Sequence, residues 1–540
     1  MMSSKLTDEN QGSKWYVAAI TFTATLGGLL FGYDTAVISG TVKSLQAFFL
    51  DGLSDNSYQA DQIVVQYRML IILVLLSISL ILSSLLFRMY KRKKAIWIAA
   101  IFMSIIILTA VLYYARPVTI DETMINSIKG FTVSSALVGC IIGGALAGRV
   151  STTLGRKKGM LLAAFLFAIS AIGSALPERL NVFGTQDIIS FIIYRIIGGI
   201  GVGLASMLAP MYIAEISPAR MRGKLVSWNQ FAIIFGMLVI YFVNYFIALG
   251  KPQEWIDTIG WRWMFASELV PIVIFLLALL FVPETPRYLV MINKEEKAAA
   301  VLKKINGAHE VAGILDSIKD SFKTQSRSWL HFGWAVIIIG IMLSVFQQFV
   351  GINVVLYYAP EIFRTLGEGT DSALLQTIIV GTINLLFTVV AIVTVDRFGR
   401  KILMIIGAIA MALSMFALGM VFYTQTSGIT ALIFMLMYIA GFAMSWGPVT
   451  WVLLSEIFPN SIRGAMALAV AAQWIANLLV SWTFPVLNDN SWLTYHFHHG
   501  FAYWIYSFMG ILAAIFVWRF VPETKGKSLE EIEKIWKHSQ

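Results

Sequence analysis

Long apolar segments separated by short polar loops run along most of the chain. They lie near residues 15–40, 67–87, 95–115, 129–149, 159–176, 188–213, 224–248, 262–282, 333–360, 373–395, 402–423, 428–455, 466–486 and 500–521. An α-helix needs roughly 20 apolar residues to cross the hydrocarbon core of a bilayer, and most of these segments are about that long. The pattern therefore predicts an all-α polytopic membrane protein with about 14 spans.

A polar stretch divides these spans into two sets. It runs from residue 283 to about 332 and contains EEKAAAVLKKI, a pattern typical of a surface helix. The N-terminal set holds two spans more than the C-terminal set, and we expect these two to form an inserted transmembrane hairpin at about 67–115. The expected organisation is an N-terminal tail at 1–14, an N-terminal six-helix bundle at 15–282, a cytoplasmic helical linker at 283–332, a C-terminal six-helix bundle at 333–521 and a cytoplasmic tail at 522–540.

Short motifs recur at similar places in the two sets. GRK at 155–157 returns at 399–401, and PET at 283–285 returns at 522–524. The pattern E-I-x-P-x-x-x-R-G occupies both 215–223 and 456–464. Two parallel repeats of six spans are an architecture found in transporters.

The distribution of charged residues predicts the orientation. Lys and Arg concentrate in GRKKG, PARMRGK, DRFGRK, the middle stretch and the C-terminal tail, whereas the intervening loops carry acids such as Asp51, Asp121 and Glu368. Because cytoplasmic loops are enriched in Lys and Arg, we expect both termini to be cytoplasmic. The basic turn RMYKRKK between the two extra spans falls on the same side if they enter as a hairpin.

Composition narrows the class further. Hydrophobic residues make up 58% of the chain and charged residues only 13%, a balance that excludes a soluble globular protein. The net charge of +10 comes from short runs between apolar segments, so it indicates membrane orientation and not binding to nucleic acid. The single cysteine, Cys140, excludes an intrachain disulfide and is expected to serve packing.

The segment FQQFVGINVVLYYAP at 346–360 is the most polar part of an otherwise apolar span. It carries Gln347, Gln348, Asn353 and Tyr357, and amides are costly in hydrocarbon unless they find partners. Gly351 and Pro360 allow the helix to break or bend there. A row of uncharged donors and acceptors suits a neutral polyhydroxylated ligand. The alternative is that these groups join one helix to its neighbours.

Two charged residues inside apolar spans are candidates for ion coupling. A carboxylate at membrane depth, such as Asp34, is costly to ionise unless a cation is near. Arg195 lies well inside another span of the same half. If the two meet, protonation of Asp34 releases Arg195, which makes a proton a conformational signal. The alternative is a permanent structural salt bridge.

A further set of charged residues recurs on the predicted cytoplasmic face. We expect these residues to form ion pairs between the two bundles that close only in the outward-facing state, which as a network would bias a two-state equilibrium. The alternative for the arginines is that they are topology signals alone. The set consists of Arg156, Glu215, Arg222, Arg400, Glu456 and Arg463.

Many motifs, in order, resemble one family. FGYD, YRIIGGIGVG, PMYIAE, PETPR, FQQFVGINVVLYYAP, VDRFGRK, WGPVTWVLLSEIFP and PETKG together resemble the signatures of the sugar porters of the major facilitator superfamily. The likeness covers nearly the whole chain, apart from the first dozen residues and the inserted hairpin. It implies the major facilitator fold and the same Asp34–Arg195 coupling pair.

The resemblance also implies a sugar site between the two bundles. Amides hydrogen-bond hydroxyl groups in both directions, and an indole face covers the C–H face of a sugar ring. Phe31, beside the coupling aspartate, is expected to close over the ligand. The implied members are Phe31, Gln230, Gln347, Gln348, Asn353, Tyr357, Asn384, Gly447, Trp451, Gln473 and Trp474.

The resulting expectation is a proton-coupled sugar symporter that imports a monosaccharide by alternating access across a bacterial inner membrane. D-xylose is the first expected substrate, and glucose or another aldose the next. The expected partners are the sugar, protons and the lipid bilayer, with no nucleic acid and no cofactor beyond the coupling proton. A monomer is the expected state, and the hairpin is expected to pack outside the bundle.

Three other functions are alternatives to a symporter. An uncoupled facilitator would keep the sugar site but not use Asp34 and Arg195 for coupling. A transporter-like sugar sensor usually needs a long cytoplasmic tail, and the tail here is short. An enzyme is not expected, because the sequence has no nucleophile motif, phosphate loop or metal cluster. His496, His498 and His499 are interpreted as incidental residues of an outer loop, with no metal site.

Overall fold

The computed structural model describes residues 13–53, 57–89, 92–115, 120–218, 221–323, 329–330, 332–426, 428–458, 460–525, 531–532 and 536. All but the last two residues of the predicted N-terminal tail, the middle of the hairpin turn and much of the C-terminal tail lie outside these residues. Within them, every regular element is helical, which confirms the all-α class.

The N-terminal set of helices begins the fold. Two short helices and a π-helical turn, Ile256–Gly260, interrupt its last span. The helices are α1 Lys14–Val37, α2 Val42–Phe49, α3 Ser57–Met89, α4 Arg92–Tyr114, α5 Glu122–Thr153, α6 Arg156–Ala175, α7 Asp187–Ile216, α8 Arg222–Ala248, α9 Gln253–Trp255, α10 Trp261–Ala266 and α11 Leu269–Phe281.

Three short helices of the linker lead to the C-terminal set. The linker helices are α12 Pro286–Met291, α13 Glu295–Asn306 and α14 Val311–Lys323. The C-terminal set consists of α15 Ala335–Phe349, α16 Ile352–Thr365, α17 Thr370–Phe398, α18 Arg400–Tyr423, α19 Gly428–Met444, α20 Trp446–Ile457, α21 Met466–Asn488, α22 Ser491–Phe497 and α23 Phe501–Phe520.

The number of spans agrees with the sequence. Among the described residues, 14 helices are long and apolar enough to cross a membrane. Three of the predicted starts are wrong, because polar residues join the helices there, and one of them is the span predicted from 129, which begins at Glu122. The first inserted helix begins at Ser57, ten residues before the predicted start, and the last span of the N-terminal set begins at Gln253 and not at 262.

The two inserted helices lie at the periphery. Helix α3 packs against α4 and also against α5 and α7 of the N-terminal bundle. In their most apolar windows, 22% of the residues of α3 but only 6% of those of α4 are buried. Helix α4 therefore presents almost its whole surface to the surroundings, and α3 is the helix that attaches the pair to the bundle.

The two ends of the bundles differ in how they are joined. We call the end that carries α12 to α14 the linker end, and the end that carries α2 and α22 the loop end. At the loop end, Tyr241 Oη donates to the Leu356 carbonyl oxygen (2.9 Å), and Thr370 Oγ1 donates to Gln253 Oε1 (2.7 Å). Both bonds cross between the bundles, so the structure is closed at the loop end.

Candidate functional site

The polar span of the C-terminal set is broken at Gly351, as its sequence predicts. Gly351 has a φ of +90°, a left-handed conformation that favours glycine, and it separates α15 from α16. A Cβ at Gly351 would lie 2.8 Å from the ring of Tyr506. The carbonyl of Val350, freed by the break, accepts a hydrogen bond from Tyr438 Oη at 2.8 Å. Pro360 lies inside α16 and does not end it.

The amides around the break form one connected chain, which we call the amide relay. Asn353 Nδ2 donates to Gln348 Oε1 (2.6 Å), and Gln348 Nε2 donates to Gln347 Oε1 (3.2 Å). Gln347 Nε2 in turn reaches the carbonyl oxygens of Trp446 (2.8 Å) and Gly447 (3.3 Å) at the start of α20. The relay thus joins α16, α15 and α20. The amides of the relay hydrogen-bond one another. A sugar hydroxyl, which both donates and accepts, can replace any of these hydrogen-bond partners.

Helix α21 supplies the other side of the site. Gln473 is buried, and its Oε1 atom has no hydrogen-bond partner. Trp474 lies beside Phe31 of α1, with ring centroids 5.9 Å apart. Tyr357 shares a hydrogen bond with Asn477, which lies one turn after Gln473. The sequence analysis missed Asn477, although its spacing from Gln473 places both on one helix face.

Three predicted members stand apart from these contacts. Gln230 and Trp451 are half-buried on α8 and α20, and Asn384 is buried on α17. No hydrogen bond in the described part of the chain joins any of the three to another predicted member. Their helices do pack together, because α17 contacts both α8 and α20.

Asp34 and Arg195 form a fully buried ion pair. Arg195 Nη1 lies 2.8 Å from Asp34 Oδ1, and Nη2 donates to the Asp34 backbone carbonyl oxygen at 3.0 Å. The guanidinium carbon also lies 5.3 Å from the ring centroid of Phe265. Asp34 Oδ2 has no hydrogen-bond partner. Half of the carboxylate is therefore held by the arginine, and half is free to take a proton.

A second buried carboxyl, Glu268, adjoins this pair and was missed by the sequence analysis. It lies between α10 and α11, is 0% exposed, and receives no hydrogen bond at either carboxyl oxygen. Its side chain lies within hydrogen-bonding reach of Asp34. Two buried carboxylates beside one guanidinium leave an uncompensated negative charge, which is costly away from water. Glu268 and the free oxygen of Asp34 thus form a site at which a bound proton would offset that charge.

At the linker end, the repeated charges pair within each bundle. Arg156 Nη2 lies 2.7 Å from Glu215 Oε1, and Arg400 Nη2 lies 2.9 Å from Glu456 Oε1. Arg222 is exposed at the start of α8. The side chain of Arg463 lies outside the described residues. In this conformation the linker-end charges thus hold each bundle together separately, and pairing between the bundles stays a prediction for the outward-facing state.

The PET motifs perform the same task in both bundles. Glu284 accepts hydrogen bonds from the backbone N–H groups of Arg156 (3.1 Å) and Lys157 (3.2 Å) at the start of α6. Glu523 accepts the equivalent bonds from Arg400 (3.2 Å) and Lys401 (3.1 Å) at the start of α18. An acidic side chain at a helix N-terminus satisfies free N–H groups and complements the helix dipole. The recurrence of GRK and PET in the sequence thus reflects a repeated helix cap.

The outer-loop histidines lie beside a small cavity at the loop end. The cavity has a volume of about 290 Å³ and is lined by Phe422, Gln425, His498 and His499, among others. His499 Nδ1 is 2.6 Å from the Asn488 carbonyl oxygen. Within the described residues, no group of three His, Cys, Asp or Glu side chains is placed to hold a metal ion.

Comparison with known proteins places the chain in a family. The sequence profile described as "Sugar (and other) transporter" matches residues 20–120 and 113–536. The chain is 54% identical to the D-xylose-proton symporter of Escherichia coli (strain K12), over 96% of each chain. It is 42% identical to the glucose facilitated diffusion protein of Zymomonas mobilis, over 79% of this chain and 91% of that protein.

Solved structures agree with the sequence comparison. The partially occluded inward-open conformation of the xylose transporter XylE from E. coli matches with a TM-score of 0.76 and 51% identity, over 95% of this chain and 100% of that one. XylE bound to 6-bromo-6-deoxy-D-glucose matches with a TM-score of 0.72. With its amide relay, its buried charges and these relatives, the chain belongs to the sugar porters of the major facilitator superfamily.

Proposed function

We propose that this chain is a proton-coupled symporter that imports a monosaccharide, D-xylose first, by alternating access. One observation carries the proposal. Helix α1 holds the coupling carboxylate Asp34 and, one turn away, the ring of Phe31, which contacts Trp474. A change in the charge of Asp34 therefore acts on the helix that closes the sugar site. The names of the relatives support both the sugar and the proton.

The N-terminal bundle binds the proton in this mechanism. When Asp34 is ionised, it holds Arg195 at Nη1 through its side chain and at Nη2 through its backbone carbonyl. Protonation removes the charge and weakens the first of these bonds, which frees α1 to move relative to α7. Glu268 provides a second carboxyl oxygen within reach, so the proton can be retained as the pair separates.

The C-terminal bundle binds the sugar. The amide relay offers both N–H and C=O groups, and Gln473 adds an unpaired acceptor oxygen. Hydroxyl groups of a monosaccharide match this mixture, whereas an ion would leave half of it unsatisfied. Trp474 and Phe31 cover the apolar face of the ring. Pentose and hexose differ by one CH₂OH group, so xylose is proposed from the relatives and glucose is the alternative.

We further propose that the linker end, with both termini, faces the cytoplasm and that the protein lies in the bacterial inner membrane. Basic residues at this end, such as Lys157, Lys224 and Lys401, support that orientation. The conformation described, closed at the loop end, is then inward-facing, in agreement with the likeness to inward-open XylE. Helices α3 and α4 are proposed to cross the membrane as a hairpin entered from the outside.

The test is sugar-elicited alkalinisation of a weakly buffered suspension of de-energised cells, run across a panel of aldoses. We expect xylose to raise the external pH, because protons enter with the sugar. Asp34→Asn is expected to abolish the pH change while sugar exchange continues. Asp51→Asn, which alters an exposed loop-end carboxylate, is the matched control and is expected to behave as wild type.

Each alternative has its own outcome in that experiment. Uptake of xylose by the wild type without any pH change would leave an uncoupled facilitator. A pH change with glucose and none with xylose would keep symport but change the substrate. If no aldose enters at all, transport itself is refuted and a sensor becomes the leading function.

A further inference from the structure

At the loop end, the first turns of α5 lie against the end of α21 and the residues that follow it. Trp482 Nε1 donates to the Ser127 carbonyl oxygen (3.0 Å), and the Ser491 backbone N–H donates to Glu122 Oε1 (2.9 Å). A Cβ at Gly130 would lie only 2.0 Å from the Trp482 carbonyl oxygen, so the two backbones touch there. These contacts form a seam between the N-terminal and C-terminal bundles.

Lys129 sends its ammonium group into this seam. Its Nζ atom lies 3.0 Å from Asp489 Oδ2 and 3.4 Å from Glu361 Oε1, and its side chain is only 6% exposed. Asn126 Nδ2 also donates to the Asp489 carbonyl oxygen at 3.3 Å. Glu361 belongs to α16, and Asp489 directly follows α21. One lysine of the N-terminal bundle therefore ties together two elements of the C-terminal bundle.

We propose that Lys129, Glu361 and Asp489 form an ion-pair latch that sets the balance between the state closed at the loop end and the state open there. The proposal rests on the proposed function, because it assumes alternating access. Opening the loop end moves α5 away from α16 and α21, and so separates one ammonium from two carboxylates. Opening takes both carboxylates away from the nearly buried ammonium, and an ammonium left unpaired is costly until water can reach it. Lys129 is thus a positioning residue of the transport cycle and not a sugar ligand.

The latch is connected to the sugar site through α16. Glu361 follows Tyr357 by four residues, so both lie on one face of this helix, and Asn353 lies one turn earlier. Any shift of α16 that accompanies sugar binding therefore moves a latch carboxylate directly. Arg364, in the last turn of α16, feels the charge of Asp257 in the N-terminal bundle, which adds a second attraction across the loop end.

The inserted helix α3 braces the turn of α5 that carries the latch lysine. Tyr67 Oη lies 3.0 Å from Ser127 Oγ, and its ring packs against Phe131 with centroids 5.7 Å apart. Ser127 and Phe131 flank Lys129 in sequence, and both also contact Trp482 of the C-terminal bundle. The hairpin thus holds the segment that closes the seam, which gives α3 a role in the same equilibrium.

The experiment measures the loop-end distance without any transport. Spin labels are placed at Thr123 and Tyr495, which are exposed on opposite sides of the seam, with the buried Cys140 left in place. Double electron–electron resonance gives the distribution of distances between the two labels, and from it the ratio of open to closed molecules in purified protein. The variants are Lys129→Met, Glu361→Gln and the charge exchange Lys129→Glu with Asp489→Lys. Lys43→Met, which removes an exposed lysine of the same end, is the matched control.

We expect Lys129→Met to raise the ratio of open to closed molecules by at least about fivefold, the lower limit of typical coupling between sites. Glu361→Gln should raise it less, because Asp489 still holds the lysine, and the charge exchange should restore much of the closed population. An unchanged ratio in Lys129→Met, or in Glu361→Gln if the first variant does not fold, would overturn the latch. The distance measurement needs no sugar. It therefore tests the latch even if the proposed xylose transport is refuted.

Discussion

The two bundles share a scaffold and differ in their interior chemistry. At the linker end they are nearly interchangeable, since each has an arginine paired with a glutamate and a PET glutamate that caps a helix. In the interior, the N-terminal bundle holds the charges of Asp34, Arg195 and Glu268, whereas the C-terminal bundle holds the amide relay. The repeat has thus been kept where it supports helices, and it has diverged where one half is proposed to bind a proton and the other a sugar.

The largest expected effect comes from leaving a buried charge of the N-terminal bundle unpaired. Arg195→Met removes the partner of Asp34, which is then buried without compensation, and should cost about 3–5 kcal/mol of unfolding free energy. Asp34→Asn added to Arg195→Met should recover most of this loss, because no unpaired charge remains. Thermal unfolding of purified protein measures both. Arg179→Met, at an exposed position, should stay within about 0.5 kcal/mol of wild type. Equal losses in the single and double variants would contradict a charge-based origin.

Glu268→Gln tests whether the second buried carboxyl belongs to proton coupling. The substitution keeps the shape of the side chain but removes its proton-binding oxygen. We expect xylose accumulation driven by an imposed pH gradient in liposomes to fall by about 30-fold, or about 2 kcal/mol of driving force. Exchange of labelled for unlabelled xylose should continue, because it needs no net proton movement. If accumulation and exchange fell together, Glu268 would be a structural residue only.

Gln347→Leu tests whether the C-terminal bundle binds the sugar without taking part in proton coupling. It removes an amide that is proposed to hydrogen-bond the sugar, and a neutral hydrogen bond contributes about 1 kcal/mol. The affinity for xylose, measured by calorimetry, should therefore fall about fivefold, while the number of protons moved per sugar should not change. Gln46→Leu at the loop end serves as the control. A loss of coupling in Gln347→Leu would break the division of labour between the bundles.

The smallest expected effect separates the two PET caps. Burial raises the pKa of Glu284 despite its backbone hydrogen bonds. Burial alone would also raise the pKa of Glu523, but four backbone N–H groups together lower it. A lowered pKa means that ionised Glu523 stabilises the folded state above its unfolded pKa and loses this contribution as the pH falls through its folded pKa. A raised pKa means that folding disfavours ionised Glu284.

We therefore expect Glu523→Gln to lower thermal stability more than Glu284→Gln at pH 7, with the difference shrinking near pH 4. The difference should be well under about 1 kcal/mol, because Glu523 is only partly buried and solvent screens it. Scanning calorimetry of the two variants at both pH values measures it. A difference of equal size at both pH values would show that hydrogen-bond geometry, and not charge, separates the two caps.

Much of this fold could be predicted from the sequence for two reasons. The apolar segments and motifs recur regularly, and charged residues in hydrocarbon are costly enough to require partners. Fourteen apolar segments and two sets of repeated motifs define the helices and their order. A carboxylate and an arginine within hydrocarbon are so expensive that their pairing was expected, and Asp34 and Arg195 are indeed 2.8 Å apart. The break at Gly351 was expected for the same kind of reason, since a glycine between buried amides has few other uses.

The features that could not be predicted depend on which side chains from distant parts of the sequence come into contact. Glu268 lies in a predicted span, but only the packing of α11 against α1 brings it to Asp34. Lys129 stands at the predicted start of a span, where a lysine is ordinarily solvated at the membrane surface. Its carboxylate partners are more than 200 residues away in sequence. Which amide donates to which in the relay likewise depends on how α15, α16 and α20 pack together, and no single sequence motif determines it.

The break at Gly351 makes α16 a lever with its pivot inside the proposed sugar site. Asn353 lies just beyond the pivot and Gln348 just before it, so their 2.6 Å hydrogen bond spans the hinge. Glu361 lies nine residues from Ile352, or roughly 14 Å along the helix at a rise of about 1.5 Å per residue. A swing of roughly 15° at the pivot therefore carries the Glu361 carboxylate through roughly 3.5 Å, which is about the length of its contact with Lys129. A rearrangement small enough to occur around a single hydroxyl group is thus amplified, by leverage alone, into the making or breaking of an ion pair at the loop end of the protein.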